Sequence, residues 1–223
     1  MSKYNIIAFD LDGTLSDPAQ GLVDGFVYAF RKLGIDYGER DSLRRFIGPS
    51  LFDEWQREFG FTPEEADHAV VLFREYYNVY GWWDNKLYDG IPELLSALKA
   101  AGKTVVLSTS KPEDTATDIL KLFGLHDYFD FIAGADYPVN SREKKWEVLE
   151  YALDNVGVDK SPESRVACVL VGDRMYDAEG ATKCSIDSVG VTWGHGSREE
   201  LDAAGFTHIA KTVDDLCKIL IEY

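Results

Sequence analysis

"IIAFDLDGTLSD", residues 6–17, is the stretch whose reading decides the fold. Ile6, Ile7, Ala8 and Phe9 form an apolar run of strand length, and Asp10 and Asp12 follow it with one leucine between them. Two carboxylates this close repel one another and raise at least one pKa unless a cation or a hydrogen-bond network holds them. A strand ending in paired carboxylates is therefore expected to end at a site. The competing reading is a plain turn, because Asp and Gly13 build turns without any ligand.

Working outward, four more short β-branched runs at 104–108, 129–133, 166–171 and 188–192 join the first at 5–10 and alternate with helical patterns. That alternation predicts βαβ units and a parallel sheet, an α/β fold. Ala116, Ile119, Leu120 and Phe123 follow the i, i+3, i+4, i+7 spacing of a half-buried helix. Ile91, Leu94, Leu95 and Leu98 repeat it before Gly102, and Val213, Leu216, Cys217 and Leu220 repeat it near the C-terminus. Residues 18–88 break the rhythm: no strand is evident, and amphipathic segments are punctuated by Gly34, Gly48, Pro49, Gly60 and Pro63. The expected organisation is a core of 1–17 and 89–223 with an inserted helical unit at 18–88. Trp55, Tyr76, Tyr77, Trp82 and Trp83 lie in that unit and are expected to build its own core rather than a stacking platform for a ligand.

Composition narrows the function classes. The 223 residues are 45% hydrophobic and 28% charged, the profile of a folded globular chain. A formal net charge of −16 argues against nucleic acid as partner, since neutralising phosphates requires a basic face. A small phosphorylated metabolite stays compatible if a divalent cation and one or two lysines reverse the field locally. No apolar run approaches the roughly 18 residues of a membrane span, so no membrane partner is expected. The N-terminus enters its first strand without room for a signal peptide, which makes a cytoplasmic location the expectation. Cys168, Cys184 and Cys217 are widely spaced and suggest reduced, buried thiols rather than a disulfide framework or zinc site. The sequence carries no signal for oligomeric state.

In an open parallel sheet, ligands bind beyond the carboxyl ends of the strands. Asp10 and Asp12 end the first run; Ser108, Thr109 and Ser110 end the second; Asp173 and Asp177 follow "VACVLVG"; Lys144 and Lys145 open the helix after the third run. Together these supply oxygen ligands for Mg²⁺, a carboxylate nucleophile, a second carboxylate for proton transfer, a hydroxyl and a cation. The set suits phosphoryl transfer. Rival motifs fail: a calcium loop counted from Asp10 would put Leu15 and Gly21 where Gly and Glu belong. "WGHGSRE" places Glu199 where a dinucleotide fingerprint needs its third glycine, and reads as a loop at the rim of the site. None of His68, His126, His195 and His208 has metal spacing to another histidine.

The four pieces resemble the haloacid dehalogenase superfamily, phosphatase branch, with a C1-type helical cap inserted after the first motif. "DLDGTL" resembles the first motif, "LSTSKP" the second, the lysine in "SREKKWEVLEYAL" the third and "VGDRMYD" the fourth, in the family's order over nearly the whole chain. The resemblance implies a Rossmann-like core with helices on both faces and the first strand central, flanked by those carrying Thr109 and Asp173. It implies that Asp10 attacks phosphorus to form an aspartyl-phosphate and that Asp12 protonates the leaving alkoxide and then deprotonates water. Mg²⁺ would be held by Asp10, the backbone carbonyl of Asp12 and Asp173, with Asp177 ordering its water shell. Thr109 would bind a phosphoryl oxygen, with Ser110 beside it in substrate binding.

For the third-motif lysine, Lys145 is favoured because its spacing from Arg142 resembles phosphoglycolate-phosphatase-like relatives; Lys144 and Lys111 compete. An acid two residues after the nucleophile favours a phosphatase or a phosphomutase of the β-phosphoglucomutase type over the dehalogenase and ATPase branches, with hydrolysis ranked first. A non-catalytic binding protein fits poorly with a complete catalytic set. Substrate choice would lie with the cap. There Arg44, Arg45 and Arg57 are candidates, and "FIGPSL", residues 46–51, resembles a loop of phosphoglycolate-phosphatase-like and 5'-nucleotidase-like relatives. An arginine gripping the carboxylate of phosphoglycolate and an aromatic stacking on a nucleobase are the two readings.

Overall fold

The opening apolar run forms strand β1 (Ile6–Phe9), and the chain then makes β2 (Ser16–Asp17). A computed structural model describes the fold over residues 3–48, 50–136, 139, 141–142 and 144–222, so Pro49 and Glu143 of the quoted motifs lie outside it. Helices α1 (Ala19–Leu33), α2 (Leu51–Phe59) and α3 (Pro63–Tyr76) follow, and β3 (Lys86–Leu87) pairs with β2 in a two-stranded sheet. After α4 (Ile91–Ala100) the remaining strands are β4 (Thr104–Pro112), β5 (Phe131–Ala135), β6 (Cys168–Gly172), β7 (Asp187–Val191) and β8 (His208–Ala210). Between and after them run α5 (Glu113–Leu122), α6 (Lys145–Asn155), α7 (Pro162–Arg165), α8 (Met175–Lys183), α9 (Arg198–Ala204) and α10 (Val213–Ile221).

Six strands form one parallel sheet in the order β5-β4-β1-β6-β7-β8. β1 is therefore central, with the strands bearing Thr109 and Asp173 on either side, and the order reverses at β1, where such sheets bind ligands. Both faces are covered, which is why strands such as Cys168–Gly172 are buried at every position. Ala8, Val106 and Leu170 point to the face packed by Val148, Leu149 and Ala152 of α6 and Ala181 of α8. Alternation sends Ile7, Phe9, Val105 and Leu107, all buried, to the other face.

Two strand readings needed revision. Val166 caps the short helix α7 instead of opening β6, and the third run starts two residues late, at Phe131. β8 and β3 were not anticipated, because two or three residues are too short to display a period.

Clustering of contacts divides the chain into Met1–Ser16 with Leu87–Tyr223 and, separately, Asp17–Lys86. The second unit has its own aromatic core. Phe26 stacks on Phe73 at 5.2 Å between ring centroids, Phe30 meets Trp55 at 5.0 Å, and Phe73 stacks on Tyr77 at 5.1 Å. Trp55 and Tyr77 are buried there, whereas Trp83 is 57% exposed. Gly21 of α1 lets that helix approach the π-helical turn Tyr77–Gly81, since a Cβ at position 21 would overlap the Gly81 carbonyl. Among the described residues no helix is long and apolar enough to cross a membrane.

Candidate active site

β1 ends at Phe9, and the chain leaves the sheet through a turn in which Leu15 and Ser16 donate backbone N–H groups to the Leu11 carbonyl. Gly13 sits there at φ +83°, a left-handed conformation that costs glycine nothing. This turn carries Asp10 and Asp12 beyond the carboxyl end of the central strand. Next door, β6 ends at Gly172, and Asp173 and α8 follow directly. The Asp177 carboxylate turns back to accept the backbone N–H groups of Asp173 and Arg174, both at 3.1 Å, and so fastens the helix start to the strand end.

The lysines separate by position. Lys144 precedes α6 and is exposed; Lys145 is its first residue and is buried. Lys145 Nζ lies 2.8 Å from Asp10 Oδ1 and 2.7 Å from Asp177 Oδ1. Lys111, at the end of β4 and 8% exposed, lies 2.8 Å from Asp12 Oδ2. The two carboxylates of the opening motif thus have different cationic partners. Thr109 is buried at the end of β4, where its Oγ1 accepts the Lys111 backbone N–H at 3.3 Å, and Ser110 beside it is exposed. Arg44 and Arg45 belong to the other unit, on the 3₁₀ helix Arg40–Phe46. Both are exposed; Arg45 pairs with Glu58 at 2.8 Å and Arg57 pairs with Glu54.

Burial dominates the electrostatics. It pushes Asp12 above the usual carboxylate range, opposed by the neighbouring Lys111. Asp173, with no exposed surface, is driven well above that range by desolvation and then by the charges of Asp177 and Asp10. Asp177 is raised by desolvation too, against the pull of Lys145. Burial would lower Lys145, but the attractions of Asp10 and Asp177 outweigh it and hold the ammonium charged.

Asp10, Asp173 and Asp177 can each place one oxygen within 4.8 Å of the others. Asp10 and Asp177 share Lys145, and Asp173 has no ion-pair partner among the described residues. An all-oxygen donor set with uncompensated negative charge fits a hard divalent cation of the Mg²⁺ type. Asp12 Oδ1 is buried without a hydrogen-bond partner and so retains a free acceptor for a reacting oxygen.

Sequence reading placed residues 193–196 at the rim, but the fold presses them onto the site. The His195 backbone N–H donates to Asp173 Oδ2 at 2.7 Å, and the Trp193 indole N–H donates to the Thr14 carbonyl at 3.1 Å. The signal that pointed to them was the pair Gly194 and Gly196, where a Cβ would overlap Asp173.

Comparison with known proteins gives a consistent picture. Residues 7–191 match the family described as haloacid dehalogenase-like hydrolase. A 5'-nucleotidase of Pseudomonas aeruginosa is 37% identical over 98% of this chain and 96% of its own length. The tyrosine-protein kinase PtkA of Mycobacterium tuberculosis is 39% identical over 96% of this chain and 72% of its own length. A solved structure titled as a predicted phosphatase from Clostridium acetobutylicum superposes with a TM-score of 0.93 at 38% identity, covering 100% of both chains.

Proposed function

The chain belongs to the haloacid dehalogenase-like hydrolases and is a phosphatase of that family, and on that premise we propose that it hydrolyses small phosphomonoesters with Mg²⁺ through an aspartyl-phosphate on Asp10. The observation that carries this reading is the distribution of charge: Asp10 is paired with Lys145 beside Asp173 and Asp177, while Asp12 is paired separately with Lys111. A nucleophile and a proton donor need different environments, and these two carboxylates have them.

In the proposed reaction the phosphate group sits at the carboxyl ends of β1, β4 and β6, where Thr109 donates its hydroxyl to a phosphoryl oxygen. Asp10 attacks phosphorus while Asp12, whose pKa burial raises against the pull of Lys111, gives a proton to the departing alkoxide. Asp12 then takes a proton from the water that cleaves the aspartyl-phosphate. Lys145 remains charged throughout and faces the phosphoryl oxygens as well as Asp10. Mg²⁺ held by Asp10, the Asp12 carbonyl and Asp173, with Asp177 ordering its water shell, would neutralise phosphoryl charge as Asp10 approaches.

The test is phosphate release with and without Mg²⁺ across phosphoglycolate, nucleoside monophosphates and sugar phosphates at equal concentration. Metal-dependent release by the wild type, abolished in Asp10→Asn with the circular dichroism unchanged, is the expected result. Full activity in Asp10→Asn removes Asp10 from the nucleophile role. The 37% identity to a 5'-nucleotidase favours nucleoside monophosphates over phosphoglycolate as the preferred class, with Arg44, Arg45 and the Asp17–Lys86 unit as the proposed source of selectivity.

A further inference from the structure

Each residue from 193 to 196 in the loop that follows β7 meets either Asp173 or the turn that carries Asp10 and Asp12. Its base is fixed where the Thr192 backbone N–H donates to the Ala210 carbonyl of β8 at 3.1 Å. Trp193 then reaches the Thr14 carbonyl through its indole N–H, and its ring meets Tyr88 edge-on at 6.5 Å between centroids. A Cβ on Gly194 would overlap both Asp173 and the Gly13 carbonyl, and a Cβ on Gly196 would overlap the Asp173 carbonyl. The loop backbone thus lies against the Asp173 side chain at Gly194 and against its carbonyl at Gly196, a closeness that only glycine permits. Between these two glycines the His195 N–H takes Asp173 Oδ2.

We propose that residues Trp193–Gly196 are positioning residues that lock Asp173 in one rotamer for the divalent cation, with Oδ2 held by the His195 amide while Oδ1 accepts the Thr14 hydroxyl at 3.5 Å. The loop sets metal affinity and leaves the chemical step to Asp10 and Asp12. The physical reason is preorganisation. Asp173 has no exposed surface, and rotation about its side chain would carry its oxygens away from Asp10 and Asp177. A clamp made of a backbone amide and two glycines prevents that movement, so the ion meets a formed site. Trp193 fastens the same loop to the turn that carries Asp10 and Asp12, which couples the two sides of the cation site.

This inference rests on the Mg²⁺-dependent reading of the site, and the test separates the two. Mn²⁺ is titrated by calorimetry into substrate-free wild type, Trp193→Phe and Gly194→Ala, with thermal melting to establish folding, and kcat is measured separately at saturating metal. Trp193→Phe keeps an aromatic ring but loses the indole N–H and part of the ring, so its Mn²⁺ dissociation constant should rise about three- to tenfold, with kcat at saturating metal near that of wild type. Gly194→Ala should lose measurable Mn²⁺ binding; if it does not fold, Trp193→Phe carries the test alone. Unchanged Mn²⁺ affinity in folded variants overturns the clamp while the phosphatase reading stands, and so does a fall in kcat without a fall in affinity. Absence of Mn²⁺ binding by the wild type overturns both.

Discussion

Lys145 and Lys111 carry the same ammonium group, yet their surroundings set different expectations. Lys145 bridges Asp10 and Asp177, so Lys145→Met leaves a half-buried and a buried carboxylate facing each other and the transferred phosphoryl group without its cation. The expected loss is about 10²- to 10³-fold in kcat, measured at saturating Mg²⁺. Lys111→Met removes the partner of Asp12 alone, and a smaller loss, about tenfold, is expected; equal losses would show that the two lysines act on one group. Gly172 has no reactive atom, but a Cβ there would overlap the Asp177 carboxyl, so Gly172→Ala displaces the residue that Lys145 holds. A shift of about 1 Å in such a site costs about a hundredfold in kcat, and an unimpaired Gly172→Ala would mean that Asp177 tolerates relocation. The sequence placed Asp10, Asp12, Asp173 and Asp177 at strand ends, where a plain turn competed as a reading, and the fold brings oxygens of Asp10, Asp173 and Asp177 within 4.8 Å of one another. The residues alone left Lys144 and Lys145 open, because neighbours at a helix start differ only in direction; the resemblance favoured Lys145, the one that lies beside Asp10. His195 was not legible, since its contact is made by a backbone amide that any residue there would carry.

At the scale of elements, one buried contact holds α6, α7 and the end of α8 together. Arg165, 2% exposed, meets the Glu150 carboxylate through both terminal nitrogens at 3.2 and 2.8 Å and donates to the carbonyls of Asp159 and Cys184. Burial pushes the Glu150 carboxyl up, but the guanidinium outweighs it and leaves the group below its ordinary value of 4.5. A depressed folded pKa stabilises the fold above the unfolded value, and that contribution is lost as pH falls through the folded one. Glu150→Gln should therefore cost about 1.5 kcal/mol in urea unfolding at pH 7, and the gap to wild type should narrow as pH drops below about 4.5. A gap independent of pH would assign the loss to packing. The same region shields two thiols: burial raises Cys168 to about 11 and Cys184 to about 12. Neither should react with a thiol reagent at pH 8 in the native state, whereas both should in urea. Of these elements, α6 was expected only as the helix after the third run, while the four-residue α7 was not anticipated. Nor was β8, because its three residues gain strand character from pairing with β7 rather than from any pattern of their own.

For the molecule as a whole, the governing quantity is a net charge of −16 set against an anionic substrate. Lys145, Lys111 and a bound cation reverse the field within a few ångströms of Asp10, but beyond that distance the chain repels a phosphomonoester dianion. Salt discriminates between these ranges. Raising ionic strength from about 10 to about 150 mM shortens the screening length from about 30 to about 8 Å, which removes the long-range repulsion and leaves contacts inside the site nearly intact. With Mg²⁺ kept saturating, so that salt does not act through metal loading, KM for a phosphomonoester should fall about two- to fivefold across that range while kcat holds constant. A rise in KM over the same range would mean that the local cations dominate the approach as well as the chemistry. The acidic surface would then have no part in substrate access.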